Sequence, residues 1–145
     1  MMRDGLAAGI AVRPWTEADF PAIQRLSGAA GWPTPVERPD AALAAWRRSW
    51  PALVATHNTE VVGFLRSLSD GEVTTYVAEL LVAPEWRGRG VGRALLEACH
   101  ALCPRTRLDL LSTAAADPFY LARGFRSFPG FRRGAGERPG ADPGR

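Results

Sequence analysis

The stretch that most constrains this chain is Leu81–Leu96, LVAPEWRGRGVGRALL, in which Gly88, Gly90 and Gly92 fall between an apolar run and a helical stripe. The run ending at Val82 reads as a buried strand, and from Val91 the residues Val91, Leu95, Leu96, Cys99, Leu102 and Cys103 recur at helical spacing. The glycines therefore sit at a helix mouth. There the first-turn N–H groups have no partner within the helix, and the helix dipole adds partial positive charge. Glycine lets the backbone approach a ligand closely, while Arg87, Arg89 and Arg93 add cationic donors. Such a loop suits an oxygen-rich anion such as a pyrophosphate.

Spacing narrows the kind of cradle. A P-loop needs Lys followed by Ser or Thr, and a dinucleotide fingerprint needs G-x-G-x-x-G; the third position after Gly90 is Arg93, so neither pattern is present. On its own the loop leaves open two plainer roles, a packed helix start and a solvated basic patch.

The flanking residues select further. Arg87-x-x-Gly90-x-Gly92, after a strand ending Leu81-Val82-Ala83-Pro84, resembles the [QR]-x-x-G-x-[GA] acetyl-CoA signature of the GNAT (GCN5-related) superfamily of N-acetyltransferases. A second block, Thr113-x-x-Ala116-x-x-Phe119-Tyr120-x-x-x-Gly124-Phe125, resembles that family's later N-x-x-A-x-x-F-Y-x-x-x-G-F segment, with Thr113 where Asn is usual. The resemblance runs over roughly residues 10 to 128 and is strongest from Val73 to Phe125.

The resemblance implies an α/β chain with the GNAT acyl-CoA N-acyltransferase fold, a mixed and mostly antiparallel sheet flanked by helices. It implies acetyl-CoA as cofactor and direct acetyl transfer to a primary amine. In that fold the strand before the glycine loop is bulged and splays from the next strand, so that pantetheine pairs with the free backbone; the matching positions are Leu81, Val82 and Ala83. Arg87, Gly88, Arg89, Gly90, Val91, Gly92 and Arg93 would hold the diphosphate, with Thr113 and Tyr120 completing the cofactor-binding set. Tyr120 matches the tyrosine that protonates the coenzyme A sulfur in the family, and a phenol remains protonated near neutrality. A hydroxyl at Thr113 offers less than an Asn amide, so one contact there is lost or passes through water.

An alkyl amine is mostly protonated at pH 7, so a base must deprotonate it. Glu79, two residues before Leu81, is the candidate, with Tyr76 or water as alternatives. Three functional readings stay open: transfer to a small-molecule amine, transfer to a protein N-terminus or lysine, and a non-catalytic acyl-CoA-binding sensor. By resemblance the chain is a candidate homodimer.

Length and composition set bounds. At 145 residues the chain suits one domain, taken as residues 1–131, with the Gly-, Pro- and Arg-rich stretch 132–145 as a disordered tail. No apolar run approaches a membrane span, and the opening Leu6–Val12 lacks a cleavage pattern, so the expectation is a cytoplasmic protein with no membrane partner. The net charge is +3 and all 18 basic residues are arginine, which excludes a lysine nucleophile. Several of those arginines lie in the tail, so no compact face for nucleic acid is expected. Cys99 and Cys103 share an apolar helical stripe and read as buried thiols, and no metal site is expected although His100 is adjacent.

Along the chain, Ile10–Arg13 reads as a first strand, and Thr16 with Asp19 as a capping pair opening a helix with Phe20, Ile23 and Leu26 inward. A loop over 29–39 with an exposed Trp32 leads to a second helix, capped by Asp40, carrying Leu43, Trp46 and Trp50 and ended by Pro51. Strands Ala52–Thr56, Glu60–Leu68 and Val73–Val82 follow, joined at His57-Asn58-Thr59, with His57 in solvent, and at Ser69-Asp70-Gly71. After the glycine-led helix come a strand Leu108–Ser112, a short helix from Asp117-Pro118 to Gly124, and a last strand Phe125–Phe128.

Overall fold

The computed structural model describes residues 6–137. The expected tail is thus described only to Glu137, and 138–145 lie outside the described residues. Two compact units divide the chain, one running to Leu110 and the other beginning at Leu111.

The first unit is built on a five-stranded sheet of order β1-β2-β3-β4-β5, with β1 at Ile10–Pro14, β2 at Ala52–His57, β3 at Glu60–Ser69, β4 at Thr74–Val82 and β5 at Arg107–Leu110. The first four strands are antiparallel and β5 joins β4 in parallel. The hairpin turns are those their residues favour: Asn58 takes a left-handed φ of 55°, and Gly71 one of 77°. Beside Gly71 the Asp70 carboxylate accepts the N–H groups of Glu72, Val73 and Thr74 at 2.8, 2.7 and 3.1 Å, tying the turn before β4.

One sheet face is covered by helices α1 (Phe20–Ala29), α2 (Thr34–Glu37) and α3 (Pro39–Arg47). Phe20 and Ile23 of α1, with Ala42 and Trp46 of α3, form a core with Val54, Phe64 and Leu81 of the sheet. The expected capping pair opens a 3-10 turn, Glu17–Asp19, that runs into α1: Asp19 Oδ2 accepts the Thr16 N–H at 2.7 Å. Helix α4 (Val91–Leu102) packs on the opposite face, where Val91, Leu95 and Cys99 are buried and Ser67 Oγ lies 3.7 Å from Cys99 Sγ. Cys99 and Cys103 are both buried and free, as their stripe predicts.

Four local expectations change. The loop over 29–39 contains the short helix α2, and Trp32 is partly buried, its ring 6.4 Å from Phe64. Helix α3 opens on Pro39, so Asp40 lies inside its first turn rather than capping it. The same helix stops at Arg47, leaving Trp50 outside and half exposed, because Pro51 disfavours helical geometry at the residue before it. His57 is not in open solvent; its ring lies 4.6 Å from that of Trp86.

The second unit holds a 3-10 turn at Ala114–Ala116 and helix α5 (Asp117–Leu121). Pro118 stands in the first turn of α5, and Gly124, at a φ of 85°, follows its end with the Phe125 N–H donating to Tyr120 O at 3.2 Å. The last strand expected at Phe125–Phe128 does not form among the described residues. A strand needs a partner for its N–H and C=O groups, and among the described residues the second unit's own regular elements are the 3-10 turn and a five-residue helix.

Candidate active site

The site begins where β4 changes partners. Arg66 of β3 faces Glu79, but the next residue, Ser67, faces Val77, so Ala78 is an extra residue in β4 and forms a bulge. On the other side, β5 pairs with β4 only from Thr74 to Val77. From Ala78 to Val82 the β5-side edge of β4 is therefore open within this sheet. Which backbone groups face that edge follows from the ladder. The Ala83 N–H donates to Val62 O at 2.8 Å, and a methyl placed on Gly63 would lie 2.9 Å from Leu81 O, so Leu81 and Ala83 turn toward β3. Alternation then turns the N–H and C=O of Leu80 and Val82 to the open edge. Arg87 Nε reaches the Val82 carbonyl at 3.3 Å, as that direction requires. Of the three backbone positions read from sequence, Val82 presents its groups outward, Leu81 and Ala83 hold the strand to the sheet, and Leu80 is the one the motif did not reveal.

The chain leaves β4 through a 3-10 turn at Pro84–Trp86 and enters α4 through the glycines. Gly88 and Gly90 have φ values of 74° and 82°, a left-handed geometry that strains any side-chain-bearing residue. Gly90 is the N-cap, and no side chain caps the helix. The first intrahelical bond runs from the Ala94 N–H to Gly90 O at 3.0 Å, which leaves the N–H groups of Val91, Gly92 and Arg93 facing the mouth. Val91 is 1% exposed and anchors that mouth to the sheet.

The arginines around the loop are already engaged. Arg87 holds Val82 O, the Arg89 guanidinium lies 4.8 Å over the Trp86 ring, and Arg93 Nε bonds Glu97 at 2.9 Å. The Trp86 ring thus contacts both Arg89 and His57. A groove of about 630 Å³ runs between β1 and α4, and although Gly90 and Arg93 belong to its lining, no residue of β4 does.

Glu79 is not a bare carboxylate. Its Oε2 accepts from Arg66 Nε at 2.8 Å, and Arg66 in turn donates from Nη1 to Ser49 Oγ at 3.2 Å. The bulge at Ala78 places Glu79 on the same sheet face as Tyr76 although they are three residues apart. Arg66 was not singled out from sequence; only the strand register identifies it as the partner.

In the second unit, Tyr120 is half buried, with ring centroids of Phe119 and Phe125 at 5.1 and 5.4 Å. Burial pushes the Tyr120 phenol above its ordinary value, which keeps it protonated and able to donate. Thr113 is extended, at φ −89° and ψ 156°, and precedes the 3-10 turn without a side-chain capping bond. Among the described residues no cluster of His, Cys, Asp or Glu could hold a metal ion, and no helix is long and apolar enough to cross a membrane.

Similarity to known proteins agrees with this geometry. The model of the acetyltransferase (GNAT) domain matches residues 48–127, more than half of the 145-residue chain. GCN5-related N-acetyltransferase 2, chloroplastic, of Arabidopsis thaliana is 26% identical over a 152-residue alignment that covers 88% of this chain and 58% of that protein. The chain therefore spans less than two thirds of that relative. An acetyltransferase of the GNAT family from Streptococcus pneumoniae TIGR4 superposes with a TM-score of 0.72 at 21% identity, covering 88% of this chain and 98% of that one. Naa50 of Arabidopsis thaliana, solved with the bisubstrate analogue CoA-Ac-MVNAL, superposes with a TM-score of 0.68 at 20% identity, covering 84% and 86%. The chain belongs to the GNAT acetyltransferase family.

Proposed function

We propose that this protein is an acetyl-CoA-dependent N-acetyltransferase that passes the acetyl group directly to the primary amine of a small molecule. The observation that carries the reading is the junction of an open β4 edge with an uncapped helix mouth: Leu80 and Val82 offer amide groups that a pantetheine arm can pair with, and the N–H groups of Val91, Gly92 and Arg93 suit the diphosphate. Gly88 and Gly90 shape the loop, while Arg87, Arg89 and Arg93 supply positive charge around it. The catalytic unit is taken as residues 1–131.

In this reading Glu79, or water held by it, takes a proton from the acceptor ammonium. With acetyl-CoA held there its thioester would supply the acetyl group; the freed amine would displace the sulfur, Tyr120 giving that sulfur its phenolic proton and recovering one from the nitrogen as the amide forms. Tyr120 is assigned on the matched segment ending Gly124-Phe125, and the raised phenol supports it because a donor must arrive protonated. Thr113 stands where the family uses Asn and is assigned a lesser contact to the cofactor.

The test is thiol release from acetyl-CoA with a panel of amines, alongside calorimetry of acetyl-CoA binding. Tyr120→Phe is expected to bind acetyl-CoA as wild type does and to turn over roughly a hundredfold more slowly. A wild type that binds the cofactor but releases no thiol with any amine would instead be a sensor.

A further inference from the structure

We propose that the sheet face carrying Trp50, Leu68 and Tyr76 seats the tail of the acceptor, which makes the acceptor a primary amine bearing one aromatic or apolar group two to three bonds from its nitrogen. This rests on the acetyl-transfer reading and sharpens it.

The register places the residues. Trp50 bridges Leu68, Leu68 faces Tyr76 across β3 and β4, and Tyr76 faces Asp109 across β4 and β5, so these residues form one row across the sheet. Trp50 is 51% exposed and Leu68 47% exposed, whereas Trp46 four residues earlier is 1% exposed. Two exposed apolar side chains thus stand side by side in this row, which continues onto a half-buried tyrosine. One step along the same face lies the row of Arg66 and Glu79, brought there by the bulge at Ala78. Successive rows on one face of a ladder are about 7 Å apart. A nitrogen beside Glu79 therefore leaves its substituent over Leu68 and Tyr76 after a link of two or three bonds.

Charge separates this occupant from others. Each acid of the two rows already has an arginine: Glu79 with Arg66 at 2.8 Å, and Asp109 with Arg107 at 3.1 Å. The face is close to neutral as a whole and offers no set of unpaired carboxylates such as a polyamine or an amino sugar with several ammonium groups would need. A single amine on an apolar body matches it.

The experiment measures kcat and KM on the full chain for 2-phenylethylamine, spermidine, kanamycin and a short peptide with a free N-terminus, with acetyl-CoA affinity followed by calorimetry. The expected result is that 2-phenylethylamine has a kcat/KM at least about tenfold above the others. Trp50→Ala should raise its KM about tenfold while leaving acetyl-CoA affinity unchanged, and Leu68→Asp should shift preference toward spermidine. Preference for spermidine, kanamycin or the peptide overturns this proposal alone, as does an unchanged KM in Trp50→Ala. Absence of thiol release with every amine, with acetyl-CoA still bound, overturns the transfer reading and this proposal with it.

Discussion

At the scale of single residues, Asp19 shows how a carboxylate can be committed to holding the fold. Its side chain is 7% exposed and accepts both Nη atoms of Arg13 at 2.8 Å and the Thr16 N–H at 2.7 Å. The Arg13 fork, helped by the Thr16 amide, keeps the carboxyl below the usual range. A depressed folded value means the stabilisation is present above the unfolded value, near pH 4, and is lost as pH falls through the folded one. Asp19→Asn is therefore expected to be less stable than wild type by about 2 kcal/mol at pH 7, the gap closing toward pH 2. Urea melts across that range measure it, and a gap independent of pH would remove the ion pair as the cause. Cys99 behaves in the opposite sense. Burial pushes its thiol up to about 11, outweighing the Ser67 hydrogen bond, so at pH 8 only about one molecule in a thousand carries the thiolate. Iodoacetamide at pH 8 should leave native Cys99 unmodified and label it rapidly in guanidinium; rapid native labelling would mean that α4 opens from the sheet.

Among the elements, α4 depends on a gap in β3. A methyl on Gly63 would lie 2.9 Å from Leu81 O and 3.3 Å from Val91 Cγ1, and the nearer contact is backbone that cannot rotate away. Gly63→Ala must therefore push β4 and the first turn of α4 apart. The expectation is a loss of about 2 kcal/mol of stability together with weaker acetyl-CoA binding, since the displaced turn carries the mouth N–H groups. Chemical melts and calorimetry read the two effects, and lost stability with unchanged affinity would show the mouth to be insulated from its packing. The β4–loop–α4 segment was legible in sequence because its signals are local: an apolar run, three glycines, then a helical stripe ending at Cys103. The bulge at Ala78 was not, because it is defined by register with β3, and no residue of β4 marks it. The same cause hid Arg66 as the partner of Glu79. Trp50 was assigned to α3 because its spacing from Trp46 is helical, but Pro51 decides the backbone there. The strand expected at Phe125–Phe128 has suitable residues, but a strand also needs an edge to pair with, which composition cannot report.

For the molecule as a whole, the proposed cofactor site and the packed core share one helix. Val91 and Leu95 are at most 1% exposed, and the mouth N–H groups belong to the same first turns, so unfolding α4 from the sheet would remove the cradle. A ligand held only by that native arrangement must stabilise the fold by mass action. At a hundredfold excess over its dissociation constant, acetyl-CoA is expected to add about 2.7 kcal/mol. For a chain of this size that corresponds to a rise in Tm of roughly 8 °C, increasing with the logarithm of concentration. Gly90→Glu would put a carboxylate at a left-handed N-cap facing the diphosphate, where both backbone strain and like charge oppose binding. That variant should melt below wild type and show with acetyl-CoA no more than the small shift expected from the pantetheine arm alone. Scanning fluorimetry with acetyl-CoA, and with free pantetheine as the arm alone, separates the two halves of the proposed site: pantetheine should give a small shift in both proteins, because the β4 edge is intact, whereas only wild type should respond to the diphosphate. Equal acetyl-CoA shifts in wild type and Gly90→Glu would place the diphosphate away from the helix mouth.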